Sequence, residues 1–95
     1  MKQEEFDRAL GEKRDTAEYR AAYAAAQLAI ELGAQVREAR LHRGWTQTEL
    51  ARRAGMRPHA VSRLEAGDVV PTLMTLERVA AALEARLSVT VEDAA

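Results

Sequence analysis

Between Thr46 and Gly67 the chain reads TQTELARRAGMRPHAVSRLEAG, which spells two short helices joined by a tight turn. Thr46, with Glu49 three positions later, is a capping box, so a helix starts at Gln47. Leu50, Ala51 and Ala54 give that helix an inward side, and the small Ala51 lets the next helix cross closely. Arg52 and Arg53 then precede Gly55, an order that puts cations at the negative end of the helix dipole and a residue free to take positive φ just beyond it. Met56 plugs the corner. Pro58 suits the first position of a second helix, where its missing N–H costs nothing. At about 100° per residue, Ala60, Val61 and Leu64 share one face of that helix, while His59, Ser62 and Arg63 cluster on the other. Gly67 closes it.

The flanking sequence frames this unit. Few helix breakers occur between Thr16 and Arg43, so one long helix is expected there. Asp15 with Glu18 forms a further capping box, and Gly33 marks the place where the helix would kink or break. Val36, Ala39, Arg40 and Leu41 are expected to face the motif, and Trp45 to pack at the hinge. Thr72 caps a last helix whose Leu73, Leu76, Val79, Ala80 and Leu83 form one stripe and close the core. In the tail, Leu87, Val89 and Val91 alternate with Ser88, Thr90 and Glu92, the period of a half-buried strand. No second strand is legible, so this one is expected to pair with another chain, as antiparallel tails of a two-fold dimer. Near the start, Phe6 and Leu10 are at helical spacing, and Tyr19 and Tyr23 share a face. They are candidates for a partner surface or for packing on the chain's own domain, and the sequence leaves both open.

Composition narrows the class. Ninety-five residues, 47% of them apolar and many of those alanine, suit one small helical domain. There is no cysteine, so disulfides and thiolate metal sites are excluded and a reducing compartment fits. No run approaches the roughly 18 apolar residues of a membrane span, and MKQEEFDRAL lacks the apolar centre of a signal peptide. A cytoplasmic, nucleoid-associated protein is expected. The only histidines, His42 and His59, sit in no metal-binding or nucleophile–base pattern, and there is no glycine-rich phosphate loop. Neither an enzyme nor a cofactor is expected.

A formal net charge of −1 conceals a strong partition: residues 1–34 carry −2, residues 35–67 carry +4 and residues 68–95 carry −3. Positive charge is therefore confined to the two-helix motif, as neutralisation of phosphates requires. All seven basic residues of that middle segment are arginine, the side chain suited to bidentate contact with guanine or phosphate.

The order of side chains over Val36–Leu87 resembles the Xre/Cro family of bacterial and phage repressors. The resemblance rests on T-Q-x-E-L-A-x-x-A-G, then x-x-x-x-V-S-R-L-E-x-G, then P-x-x-x-T-L. It implies an all-α, lambda-repressor-like five-helix core with a helix-turn-helix at residues 34–85. An N-terminal helical arm would occupy residues 1–33 and a C-terminal strand and tail residues 86–95. It implies that a pseudo-palindromic double-stranded operator is bound by a homodimer. His59, Ser62 and Arg63 would read bases, while Thr46, Gln47, Arg52, Arg53 and Arg57 would position phosphates. Arg40 and Glu65 would form a structural ion pair. Arg57-Pro58 stands where many members carry Ser-Gln or Thr-Gln, so one common base-reading glutamine is absent. The combination of an acidic arm, this motif and a terminal strand resembles the HigA class of antitoxins, which implies a small basic RelE-like ribonuclease toxin as partner. The alternative is a free-standing dimeric regulator without a toxin.

Overall fold

The computed structural model of the chain describes residues 2–5, 8 and 16–94. Phe6 and Leu10 lie outside the described residues. Four helices are defined: α1 (Ala17–His42), α2 (Gln47–Ala54), α3 (Pro58–Ala66) and α4 (Leu73–Ala82). Residues 3–5 and 8 are also helical and exposed.

Each helix start follows from a local hydrogen bond. Thr16 caps α1 by accepting from the Tyr19 N–H at 3.0 Å, so the cap falls one residue after Asp15. Thr46 and Thr72 do the same for α2 and α4, accepting from Glu49 N–H and Thr75 N–H at 3.1 Å. The capping box of α2 is half-formed. The Glu49 carboxylate turns to Arg52 and Arg53, because two cationic donors attract it more strongly than one backbone N–H. Arg57 caps α3 with no side-chain hydrogen bond, and Pro58 opens it.

α2 and α3 end where Gly55 and Gly67 take φ of 66° and 75°. α4 ends without glycine. There Glu84 itself adopts the left-handed region at φ 54°, a conformation disfavoured by contact between Cβ and the carbonyl oxygen. Arg43, just past α1, holds this end in place by donating to the Leu83 carbonyl from Nε and Nη2 at 3.0 and 2.6 Å.

The core joins Val36 of α1, Leu50, Ala51 and Ala54 of α2, Val61 and Leu64 of α3, and Val79 and Leu83 at the end of the chain's last helix. Trp45 and Met56 pack against it, half-buried. Two residues expected in this core are exposed instead. Leu41 lies about 100° beyond buried Arg40 around α1, and Leu73 occupies the first turn of α4, ahead of the packing stripe. α1 continues without a break through Gly33, so the residues assigned to an arm and those assigned to the core share one helix. Gly33 is buried, and a Cβ there would lie 2.3 Å from the Leu64 carbonyl oxygen and 2.8 Å from that of Glu65. Its function is close crossing of α1 and α3, not a break.

No strand occurs among the described residues, and residues 85–94 adopt no regular structure. Leu87 is half-buried at the mouth of a cleft between α1 and α4, whereas Val89 and Val91 are exposed. The half-buried alternation expected of Leu87, Val89 and Val91 is not seen: Leu87 is partly covered while Val89 and Val91 are as open as their neighbours, and a segment becomes a strand only where a second backbone pairs with it. No described residue of the chain provides one.

Candidate nucleic-acid interface

The apolar side of α3 fixes its polar side. Val61 and Leu64 are fully buried against α1 and α2, which turns His59 and Arg63 outward. Both are exposed, as is Arg57 at the start of the helix; Ser62, on the edge of the same face, is half-buried. Among the described residues, the side chains of Arg57, His59 and Arg63 make no hydrogen bond or ion pair. Their polar groups are therefore open to an external partner.

Beneath this face lies a buried ion pair that sets its orientation. Arg40 donates from Nε to Glu65 Oε2 at 2.7 Å and from Nη2 to Oε1 at 2.9 Å, and from Nη1 to the Trp45 carbonyl at 2.7 Å. One guanidinium thus ties α1, the turn before α2 and the end of α3 together. Gln47 adds a hydrogen bond from Nε2 to Glu65 Oε1 at 3.1 Å. Burial by itself pushes the Glu65 carboxyl up, but the hydrogen bonds from Arg40 and Gln47 and the charges of Arg40 and Arg37 outweigh it and hold the group below its ordinary value. Gln47, half-buried, lines an open recess with Arg37, Arg40, Ser62 and Glu65 beside the outer face of α3.

The other arginines of the motif are engaged to different degrees. Arg52 donates from Nε and Nη2 to Glu49 at 3.0 and 2.7 Å, and Arg53 from Nε at 2.7 Å. Hydrogen bonds from Arg52 and Arg53 lower the Glu49 pKa to about 2. The Arg53 guanidinium also lies 4.1 Å from the centre of the Trp45 ring, a cation–π arrangement. All three groups are on the surface, so a phosphate can compete for either arginine. Arg43 and Arg78 were not singled out by sequence. Arg43 serves the end of α4, and Arg78 Nη2 donates to the Gly55 carbonyl at the end of α2. Nothing in the sequence distinguishes these two from phosphate-binding arginines, because their partners are carbonyls distant along the chain.

Of the remaining candidates, Tyr19 and Tyr23 are exposed on α1, Val89 and Val91 are exposed on the tail, and Leu87 is not grouped with either. Among the described residues there is no cluster of His, Cys, Asp or Glu that could hold a metal ion, and no helix is long and apolar enough to cross a membrane.

Two helices joined by a tight glycine turn, the second held by the first and presenting an unpartnered cationic stripe, define a DNA-binding helix-turn-helix unit. The chain belongs to the helix-turn-helix domain family, of the Xre-like type: the family's model, described as a helix-turn-helix domain, matches residues 31–93. No curated protein and no solved structure matches the chain.

Proposed function

We propose that this protein is a sequence-specific transcriptional repressor that binds a double-stranded operator as a homodimer. The observation that carries the reading is the outer face of α3, where Arg57, His59 and Arg63 are exposed and unpaired while Val61 and Leu64 lock the opposite face. α3 enters the major groove, and its paired copy enters the next one about 34 Å away on a pseudo-palindrome. Arg63 donates to guanine and His59 to a neighbouring base edge. Gln47 and the surface arginines Arg52, Arg53 and Arg57 fix register on phosphates. Repression follows by occlusion of the promoter. Pairing of the extended tails through Leu87, Val89 and Val91 is one means of joining the copies.

Footprinting on the protein's own upstream DNA tests this reading, together with anisotropy titrations on the protected site and on random DNA at several salt concentrations. Arg63→Ala is expected to weaken specific binding by about 1–3 kcal/mol and to relax preference at one base pair per half-site. Equal losses on specific and random DNA would make Arg63 a phosphate contact. No protected site and no salt-dependent binding would refute the reading altogether.

A finer reading makes this repressor the antitoxin of a toxin–antitoxin pair. It is favoured by residues 17–30 of α1, which precede the family match and expose Tyr19 and Tyr23. A basic ribonuclease encoded next to this gene should then co-purify with it. Its absence from that locus would leave the free-standing regulator.

A further inference from the structure

Along α1, seven exposed residues share one stripe: Tyr19, Tyr23, Ala26, Ile30, Ala34, Arg37 and Leu41. At about 100° per residue they fall within an arc of about 80°. The four large apolar side chains are 38%, 61%, 54% and 55% exposed at Tyr19, Tyr23, Ile30 and Leu41. Contiguous apolar surface of this kind on a small protein marks a contact site. The stripe lies beside the buried face that crosses α3; Gly67, at the end of α3, touches Ile30, and all seven residues of the stripe remain exposed.

The spacing identifies the occupant. The intervals are four, three, four, four, three and four residues, the same read in either direction from Ile30. A second α1 laid antiparallel across a two-fold axis at Ile30 therefore meets its own pattern. Tyr19 faces Leu41 of the copy, Ala26 faces Ala34, and Ile30 faces itself. The small alanines flank the axis and permit close approach of the backbones. Tyr23 faces Arg37, placing a cation against an aromatic ring. The 11-residue repeat, 3.67 residues per turn, keeps the seam in line over the length of the helix. An isologous interface demands such self-complementarity; a helix from a different protein does not.

We propose that α1 is an antiparallel self-association seam centred on Ile30, joining two copies of this chain. The proposal rests on the homodimer part of the reading above and leaves the assignment of α3 untouched.

The test uses the full chain. Sedimentation should show a dimer in the micromolar range. Ile30→Asp, which sets two carboxylates against each other at the axis, should weaken it roughly 100-fold or more with helicity unchanged. Because Ile30 also touches Gly67, a second measurement does not depend on that variant folding well. The chain has no cysteine, so Ile30→Cys should oxidise to a covalent dimer, while Leu28→Cys, on the opposite side of α1, and Tyr19→Cys, distant from its own copy, should not. A monomeric wild-type chain overturns the seam, including one that takes up a ribonuclease as a monomer. Cross-linking at position 28 or 19 as efficient as at position 30 overturns it as well. A dimer abolished by deleting the tail but intact in folded Ile30→Asp assigns self-association to the tails and overturns the seam while sparing the dimeric repressor.

Discussion

Seven arginines between residues 35 and 67 carry the same formal charge, yet their surroundings give them different work. Arg40 is interred with Glu65, Arg37 acts on the same carboxylate from the surface through its charge, Arg43 holds a carbonyl, Arg52 and Arg53 share Glu49, and Arg57 and Arg63 are exposed and unpaired. The buried pair is the most sensitive point. Removing one partner strands a buried charge, so Glu65→Gln is expected to cost roughly 3–5 kcal/mol in urea or thermal unfolding. A variant that melts with the wild type would show the pair to be dispensable. The sign of the pH dependence follows from the direction of the shift. The folded-state pKa of Glu65 lies below its ordinary value of 4.5, so its contribution to stability is complete above that value. It is lost as the pH falls through the lowered folded value. Circular dichroism on acidification should therefore show a steeper loss of stability in the wild type than in Glu65→Gln, and parallel acid limbs would contradict this.

At the scale of elements, local sequence and tertiary contact divide the decisions. The threonine caps at Thr46 and Thr72, Pro58 and the two glycine ends were readable because their causes lie within four residues, whereas the cap of α1 fell on Thr16 and not on Asp15. Gly33 shows the limit. Its low helix propensity marked it as a breaking point, but α1 continues through it, and the glycine is there because the carbonyls of Leu64 and Glu65 occupy the space a Cβ would need. Gly33→Ala, favoured by propensity alone, is thus expected to destabilise the protein by about 1–3 kcal/mol through forced separation of α1 and α3. An unchanged or raised melting temperature would show that the crossing relaxes at no cost. The end of α4 is a second case. No glycine marks this stop in the sequence, and Arg43, some forty residues upstream, is bound to the stopping carbonyl.

For the whole molecule, the proposed function depends on how two copies meet. The positive segment is flanked by acidic ones, so affinity for DNA should fall steeply with salt, the slope reporting the phosphates neutralised. Residues 88–94 are exposed and make no regular structure in the single chain. Their removal should leave thermal stability of the folded domain within about 0.5 kcal/mol, as for surface changes away from packed features. Any loss of operator affinity that accompanies it, without loss of helicity, would locate the dimer contact in the tail.

The sequence alone determined where the helices begin and end around the motif, and which side of α3 is apolar. Those properties depend on capping hydrogen bonds and a 3.6-residue period, interactions that reach no farther than a turn or two. Only the tertiary structure decided which arginines remain open, why Gly33 must lack a side chain, and that α1 extends unbroken with an exposed apolar stripe. Each of these depends on groups dozens of residues apart brought within a few ångströms by packing, and no local pattern encodes that proximity.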